Sequence, residues 1–198
     1  MILRLVLAAG AARRLGEPKA TARLGGSTFL ERVLSPRLPG AARDLVVTGG
    51  HREATEAEAR RLGVATVHNE DWESGQGSSL ARGLREARPG EAVLLHPVDF
   101  PLVTQDDCDR LLAAYHAEGP GVDRLAVLSQ DRRRGHPVLF GPAWVERILA
   151  LPPGGTPRDL FRAAGEELRY ALTDNAWVRR DIDTPDDLAA ARAYLGED

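Results

Sequence analysis

Five segments of this chain combine residue types and spacings that could do chemistry. The first runs from Leu7 to Lys19, where an apolar stretch passes into small residues and then into cations. Such a loop lets backbone N–H groups approach phosphate oxygens, which Arg14 and Lys19 could neutralise. It lacks the Gly-Lys-Ser/Thr ending of a Walker loop and the Gly-x-Gly core of a dinucleotide fingerprint. A plain strand-to-helix turn with solvated arginines is the alternative.

Lys19 is the only lysine among 26 basic residues. Lysine is a compact point charge, whereas the arginine guanidinium is a planar fork, and a tight phosphate site can need the point charge. Chance could also leave a single lysine at any position. The neighbours of Lys19 must therefore decide what it does.

The second segment, residues 68–80, is rich in glycine and serine. Its glycines would let backbone amides read the edge of a base, and Ser78 and Ser79 would lie where a helix leaves N–H groups free. We expect Ser78 to cap a helix that begins at Ser79. A capped helix after a turn, without any ligand, is the alternative.

The third segment, residues 96–102, and the fifth segment carry acids. Asp99 follows an apolar strand, and an acid at the carboxyl end of a parallel strand points into the usual ligand crevice of an α/β sheet. A turn or helix-capping role for Asp99 is the alternative, although Thr104 already supplies a cap for the next helix. The fifth segment, residues 180–188, contains Thr184-Pro185, which indicates a helix start.

The fourth segment, residues 134–140, holds His136 between Gly135 and a proline. A lone histidine is more often structural than functional, so His136 alone predicts little. The arginines at 132–134 form a basic turn that is usually solvated but could also meet an anion. The other histidines lack the spacing of a metal site, so zinc is not expected.

Alternating strands and helices must position these segments. Helices separate the first predicted strands, so these strands need parallel crossovers. We therefore expect a three-layer α/β/α fold with a mostly parallel, Rossmann-like sheet, to which the pair at 125–128 and 138–140 adds a small antiparallel portion. Ser27, Thr104 and Thr184 are expected to cap helices. The predicted strands cover residues 2–8, 44–48, 64–67, 92–95, 125–128, 138–140, 168–172 and 177–181.

Length and composition narrow the class of protein. A chain of 198 residues predicts one domain over residues 1–198. The net charge of −3 argues against a nucleic-acid binder, and no apolar run approaches the length of a membrane span. The single cysteine, Cys108, excludes an intramolecular disulfide and fits a reducing compartment. We expect a cytoplasmic protein without nucleic-acid or membrane partners.

The first segment resembles the signature of the MobA-like NTP transferase family. The matching residues are Leu7, Ala8, Ala9, Gly10, Arg14, Gly16, Pro18 and Lys19, and the other segments extend the resemblance over nearly the whole chain. It implies a sheet of the nucleotide-diphospho-sugar transferase type. It also implies Mg²⁺-dependent transfer of a nucleoside monophosphate from an NTP to a phosphorylated acceptor, with release of pyrophosphate.

The resemblance implies a role for each matching residue. Arg14 and Lys19 would contact the phosphates and, with Asp99, form the catalytic set. Asp99 and Asp183 would hold Mg²⁺, with Asp181 as the alternate second acid. Gly135 and His136 would border the acceptor. The implied nucleotide-binding residues are Leu7, Ala8, Ala9, Gly10, Arg14, Gly16, Lys19, Asn69, Gly75, Ser78 and Ser79.

Two features favour a branch of this family, and two depart from it. Ala8-Ala9 and Gly135-His136-Pro137 resemble the molybdenum cofactor cytidylyltransferases, which implies CTP, molybdopterin and delivery of the product to a molybdoenzyme. Phe100 and the stretch 154–159 differ from the family pattern. Open alternatives are GTP as donor, a sugar or isoprenoid-precursor phosphate as acceptor, and a non-catalytic nucleotide-binding or cofactor-delivery module. The missing Gly-x-Gly disfavours an NAD-dependent oxidoreductase.

Overall fold

Strands and helices alternate along the first half of the chain, and an antiparallel pair of strands follows. The computed structural model describes residues 1–40, 42–117, 124–152 and 156–197. Its strands are β1 (Ile2–Ala8), β2 (Arg23–Leu24), β3 (Ser27–Thr28), β4 (Arg43–Thr48), β5 (Ala65–His68), β6 (Ala92–Pro97), β7 (Leu125–Gln130), β8 (Arg133–Phe140) and β9 (Leu168–Leu172). Its α-helices are α1 (Phe29–Leu34), α2 (Arg52–Arg61), α3 (Gln76–Leu84), α4 (Gln105–His116), α5 (Pro142–Leu149), α6 (Pro157–Arg162) and α7 (Pro185–Tyr194). Short 3-10 helices cover Trp72–Ser74, Gly165–Glu167 and Ala176–Arg179.

Seven strands form one sheet in the order β5-β4-β1-β6-β8-β7-β9. β1 pairs in parallel with β4 and with β6, and β4 pairs in parallel with β5. β8 runs against both of its neighbours, β6 and β7, whereas β9 is parallel to β7. These directions confirm the expected mostly parallel sheet with a small antiparallel portion.

Helices cover both faces of the sheet because its central strand is apolar on both sides. All seven residues of β1 are buried. Leu5 belongs to one core cluster with Leu84 of α3 and Trp144 of α5. Val6 belongs to another with Leu30 of α1. The three layers are those expected from the sequence.

Hydroxyl side chains cap several helices. Thr104 and Thr184 cap α4 and α7 as expected, and an aspartate three residues later completes a capping box in each. The prediction for α1 was one residue early, since the cap is Thr28 rather than Ser27. The Thr28 side chain accepts from the backbone N–H of Glu31, and the Glu31 carboxylate accepts in return from the backbone N–H of Thr28.

The start of α3 corrects the predicted role of Ser78. The helix begins at Gln76 with Gly75 as its cap residue, so Ser78 lies within the first turn. The Ser78 hydroxyl is 2.7 Å from the carbonyl oxygen of Asp71, to which it donates. It therefore fastens the preceding turn instead of capping the helix.

The strand predicted at 177–181 is wrong. The chain forms the 3-10 helix Ala176–Arg179 there, because the Asn175 side chain accepts from the backbone N–H of Trp177 and starts a turn. Within the divergent stretch 154–159, Thr156 caps α6. Residues 153–155 lie outside the described part of the chain.

The helices are short. The longest in the described ranges, α4, has 12 residues. None that the structure describes combines the length and the apolar character that a membrane crossing requires.

Candidate active site

A cleft of about 830 Å³ opens where β1 and β6 end. The chain leaves β1 towards β4 on one side and returns to β6 on the other, so the strand order reverses here. Such a switch point leaves a crevice beyond the carboxyl ends of the strands. The sequence-predicted residues that line it are Leu7, Ala8, Ala9, Gly10, Arg14, Lys19, Gly75, Ser79, Asp99, His136 and Asp183.

The segment after β4 holds the loop after β1. The backbone N–H of Gly50 donates to the carbonyl oxygen of Ala9 over 3.0 Å. The ring Nε2 of His51 lies 2.7 Å from the carbonyl oxygen of Ala11, and it must carry the proton because a carbonyl only accepts. Gly16 has a φ of +83°, which glycine adopts without strain. Gly16 therefore shapes the loop and is not among the residues that line the cleft.

Lys19 lies between two acids. Its Nζ is 2.8 Å from Oδ2 of Asp99 and also donates to Oδ1 of Asp183. Arg14 pairs with the other carboxylate oxygen of Asp183. Only 15% of the Lys19 side chain and 19% of the Asp183 side chain are exposed. The fold thus joins cations from the first loop with acids from two distant segments.

Electrostatics keeps the central pair charged. Burial alone would lower the pKa of Lys19, but the negative charges of Asp99 and Asp183 outweigh it and raise that pKa. Burial alone would raise the pKa of Asp183, but the hydrogen bond and charge of Lys19 outweigh it and lower that pKa. At neutral pH the pair is an ammonium and a carboxylate. The pKa of Asp181 is raised, by burial and by the negative charge of Asp183.

Backbone hydrogen bonds fix the turn that carries Asp99. The N–H of Val98 donates to the carbonyl oxygen of Leu7 over 3.1 Å. The N–H of Ile182 donates to the carbonyl oxygen of Asp99 over 2.9 Å. These bonds join β1, the end of β6 and the segment before α7, so the acids keep their mutual distances.

Asp99, Asp181 and Asp183 form a possible metal centre. Each offers one carboxylate oxygen, and these oxygens lie within 4.8 Å of one another. The Oδ1 of Asp99 is buried and has no hydrogen-bond partner among the described residues. A buried charged oxygen is costly unless a cation or a donor satisfies it. Carboxylate oxygens are the ligands that hard divalent cations such as Mg²⁺ prefer, so this cluster fits such an ion.

Asn69 organises the second segment from inside. Its buried side chain donates to the hydroxyls of Ser78 over 2.9 Å and Ser79 over 3.0 Å. Its carbonyl oxygen accepts from the backbone N–H of Asp71 over 3.2 Å. Asn69 therefore ties the end of β5 to the first turn of α3, where Ser79 lines the cleft. Neither Asn69 nor Ser78 is among the residues that line it.

His136 forms part of the cleft wall near Asp99. Its ring centroid lies 4.7 Å from that of Phe100. Burial lowers the pKa of His136 to about 4, although the negative charge of Asp99 acts in the opposite direction. The ring is therefore neutral at neutral pH. Its Nδ1 is buried without a partner among the described residues.

Gly135 has a packing role that the sequence did not reveal. A Cβ at this position would collide with the carbonyl oxygen of Val178. Only glycine lets β8 lie this close to the 3-10 helix Ala176–Arg179. Of the two residues predicted to border the acceptor, the structure brings His136 to the cleft, and Gly135 is not among the residues that line it.

Trp72, His51 and Arg13 also line the cleft, and the sequence did not single them out as site residues. Trp72 covers a glycine pair after β4, since a Cβ on Gly49 would lie 2.7 Å from the Trp72 Cβ and one on Gly50 would lie 3.0 Å from its ring. That glycine pair is the sequence signal for the close approach. Arg13 and His51 reach the cleft because of the course of their loops. No local sequence pattern predicts that course.

Comparison with known proteins identifies similar chains with several activities. Residues 4–169 match the MobA-like NTP transferase domain. The chain is 34% identical over 143 residues to a nicotine blue oxidoreductase of Paenarthrobacter nicotinovorans, covering 69% of each chain. It is 31% identical to a phosphoenolpyruvate guanylyltransferase of Rubrobacter xylanophilus, covering 94% and 90% of the two chains. It is 24% identical to the molybdenum cofactor cytidylyltransferase of Escherichia coli, covering 98% and 96%.

The fold has solved counterparts. A nucleotidyl transferase from Methanothermobacter thermautotroptrophicus superposes with a TM-score of 0.80 at 24% identity, covering 98% and 97% of the two chains. The domain match covers most of the chain, and the first-segment signature lies within it. The chain therefore belongs to the MobA-like NTP transferase family.

Proposed function

We propose that this protein is a Mg²⁺-dependent cytidylyltransferase that moves CMP from CTP to the phosphate of molybdopterin. The observation that carries the proposal is the meeting of Lys19 with Asp99 and Asp183 beside the loop after β1. Cations and acids at the edge of a small-residue loop suit phosphoryl chemistry, in which a protein mainly positions anions and offsets their charge.

The reaction is an in-line displacement at phosphorus. An oxygen of the acceptor phosphate attacks the α-phosphorus of the NTP and forms the new P–O bond. The bond from the α-phosphorus to the oxygen that bridges to the β-phosphorus breaks, and pyrophosphate leaves with the electron pair. Lys19 and Arg14 offset the negative charge of the phosphates. A divalent cation held by Asp99, Asp181 and Asp183 would supply further Lewis-acid charge at the phosphate oxygens.

Sequence features support CTP as the donor. Ala8-Ala9 in the first loop resembles the cytidylyltransferase branch. Gly135-His136-Pro137 in β8, on the acceptor side, resembles the same branch and so supports the donor only indirectly. The similarity to the E. coli molybdenum cofactor cytidylyltransferase covers nearly all of both chains. The guanylyltransferase among the relatives makes GTP the first alternative donor.

The acceptor side is formed by His136 and Phe100. A neutral imidazole can exchange a hydrogen bond with an acceptor phosphate without adding charge. We further propose that the product is passed to a molybdoenzyme. The prediction of a cytoplasmic location stays a prediction.

The test is pyrophosphate release with Mg²⁺, in which CTP, GTP, ATP and UTP are each offered with and without molybdopterin. We expect release only with CTP and molybdopterin together. Lys19→Met and Asp99→Asn should each lower the rate by about 100-fold or more. The first removes a positive charge that offsets the phosphates, and the second removes a carboxylate that would hold the divalent cation. Arg110→Met, which breaks an exposed pair with Asp106 on α4 and a long hydrogen bond of 3.5 Å to the carbonyl oxygen of Leu172, is the matched control and should keep the wild-type rate.

Each other outcome selects a different function. Release with GTP or with another phosphorylated acceptor would replace CTP or molybdopterin in the proposal. Nucleotide binding without turnover on any acceptor would favour a binding or delivery module. One relative is named an oxidoreductase, so NADH binding in the absence of NTP binding would overturn the transferase proposal.

A further inference from the structure

An ammonium group lies among the carboxylates of the acid cluster. Lys19 Nζ contacts both Asp99 and Asp183, which are two of the three acids whose oxygens lie within 4.8 Å of one another. These contacts use Oδ2 of Asp99 and Oδ1 of Asp183, while Oδ1 of Asp99 has no partner among the described residues. The lysine is therefore the cation that bridges two acids of this cluster.

A divalent cation held by Asp99 and Asp183 would compete with the ammonium for the negative charge of these two carboxylates. Mg²⁺ binds carboxylate oxygens at about 2.0–2.1 Å, whereas the ammonium is at hydrogen-bond distance. A divalent cation held by the same two acids would lie close to the ammonium, so the two cations would repel each other there. Arg14, which also pairs with Asp183, adds a second positive charge nearby.

The charges of the cluster argue against simultaneous occupancy. Three carboxylates face Lys19 and Arg14, so the group carries at most one excess negative charge. A divalent ion added without moving Lys19 would bring four positive charges against three negative ones. Because the Arg14 side chain is 70% exposed, water screens its charge, and the main repulsion is between the ion and Lys19. Repulsion between cations is strong where water screens weakly, and Lys19 is only 15% exposed.

A nucleotide in the cleft would offer the Lys19 ammonium an alternative contact, its phosphates. It ends the loop that begins at Gly10, and both residues line the same cleft. A triphosphate in that cleft brings several negative charges within reach of a flexible four-carbon side chain. We propose that Lys19 is the resident counter-cation of the acid cluster, and that a divalent ion replaces its ammonium readily only when nucleotide phosphates receive it. The nucleotide half of this inference rests on the proposed function.

The first test measures Mn²⁺ binding to nucleotide-free protein by electron paramagnetic resonance. Lys19→Met removes the ammonium and keeps much of the side chain's length and apolar stem. We expect it to bind Mn²⁺ at least about tenfold more tightly than the wild type, because a competing cation is gone. Arg110→Met removes one positive charge far from the cluster in sequence and controls for net charge. It should bind Mn²⁺ as the wild type does.

The opposite result overturns the inference. If Lys19→Met binds Mn²⁺ no more tightly than the wild type, while circular dichroism shows it folded, then the lysine does not hold the metal position. If Arg110→Met tightens binding equally, the effect is one of net charge, and the inference fails in the same way.

A second test uses the unmodified protein and does not depend on a folded variant. Lys19 is the only lysine, so acylation by an amine reagent reports on one side chain, with the α-amino group of residues 1–198 produced as such, at Met1, as the reference amine. Saturating Mn²⁺ without nucleotide should release the ammonium and raise the acylation rate of Lys19 several-fold, while the rate at Met1 stays constant. Peptide mass spectrometry separates the two sites. An unchanged rate at Lys19 would contradict displacement.

A third arm separates this inference from the proposed function. A non-hydrolysable CTP analogue should tighten Mn²⁺ binding in the wild type more than in Lys19→Met. If no nucleotide binds, the proposed function fails, but the tightening in nucleotide-free Lys19→Met still supports the counter-cation role. If nucleotidyl transfer occurs and that tightening is absent, the function stands and the inference falls.

Discussion

A buried histidine, His96, and a half-buried one, His136, contact the turn that carries Asp99. His96, in β6, is 1% exposed, and its Nε2 lies 3.1 Å from the carbonyl oxygen of Phe100. Burial lowers the pKa of His96 to about 3 and that of His136 to about 4. Both rings are neutral at neutral pH, so the charge of the site comes from Lys19, the arginines and the acids.

This placement predicts acid sensitivity with a definite sign. In the unfolded chain both histidines bind a proton below the ordinary pKa of 6.5. In the folded chain His136 binds its proton only at about pH 4 and His96 only at about pH 3. Stability contributed by the neutral rings is therefore complete above pH 6.5 and falls as the pH falls. In this window each histidine lowers the free energy of unfolding by about 1.4 kcal/mol per pH unit, which amounts to about 2 kcal/mol at pH 5.

The measurement is urea unfolding at pH 7 and pH 5. His96→Gln keeps a donor for Phe100 and removes one titrating ring, so we expect it to lose about 2 kcal/mol less than the wild type between the two pH values. Equal losses in the two proteins would show that His96 does not titrate as described.

Single residues differ in how far the sequence predicts them. Asp99 could be found because a charge shortly after an apolar strand has few structural explanations. Lys19 could be found because it is the only lysine in the sequence and follows a loop of small residues. Asn69 and Gly135 were placed in binding roles, yet Asn69 ties β5 to α3 and Gly135 admits a backbone from a distant segment. The close approach of two segments that are distant in sequence leaves no local sequence pattern. The sequence therefore could not distinguish residues that shape the site from residues that would contact a ligand.

Among the elements, α3 carries part of the cleft wall and packs closely against the sheet. Gly83 lies where a Cβ would be 2.6 Å from Leu5 and 2.8 Å from Val47, both of which are buried. Gly77, near the start of the same helix, has open space at its Cβ position. The two glycines therefore differ in the reason for their presence.

Alanine substitution should separate these two glycines. Gly83→Ala forces overpacking that costs about 1–3 kcal/mol, of which better helix propensity offsets up to about 1 kcal/mol, so a net loss is expected. Gly77→Ala gains only the propensity and should be neutral or stabilising by up to about 1 kcal/mol. Chemical unfolding of both variants checks this pair. A stable Gly83→Ala would mean that α3 can move away from β1 without cost.

The sequence predicted elements best where a cap and an apolar run agree. Thr104 and Thr184 mark α4 and α7 because hydroxyl caps combine with acids in the first turn. The segment 177–181 looked like a strand because it holds apolar residues, but Asn175 starts a 3-10 turn there. A run of apolar residues indicates that a segment is buried, but burial alone does not indicate that the segment is a strand.

On the scale of the whole molecule, one sheet links the two halves of the chain. β6, from the first half, pairs with β8, from the second, over Val93–Phe140, Leu94–Leu139 and Leu95–Val138. The alternation of strands and helices predicted the parallel part, and the pair predicted at 125–128 and 138–140 is the observed hairpin. The basic turn predicted at 132–134 was placed too late, because β8 already begins at Arg133 and the turn is formed by Asp131 and Arg132. The order of strands across the sheet was not predicted, because it depends on crossovers that sequence spacing leaves open.

We propose that residues 1–198 unfold as one unit, as expected of a single domain. Trp72 and Trp144 pack in one core cluster and Trp177 in another, so tryptophan fluorescence samples both faces of the sheet. Thermal transitions followed by fluorescence and by far-ultraviolet circular dichroism should coincide. CTP with Mg²⁺ at 100 times its Kd should raise the free energy of unfolding by about 2.7 kcal/mol. Both thermal transitions should then shift upward together. Two separate transitions would divide the chain into more than one unit.

The single reversed strand has a consequence for how this fold diversifies. The loop after β1 and the start of α3 come from the parallel half, whereas His136 reaches the cleft on β8, within a hairpin that returns on itself. A hairpin can exchange its side chains, or lengthen its tip, without disturbing the crossovers that set the other strands. We expect donor and acceptor preference to evolve separately in such a scaffold. Transplanting residues 125–140 between relatives would then change the preference for the acceptor and leave the preference for the nucleotide unchanged.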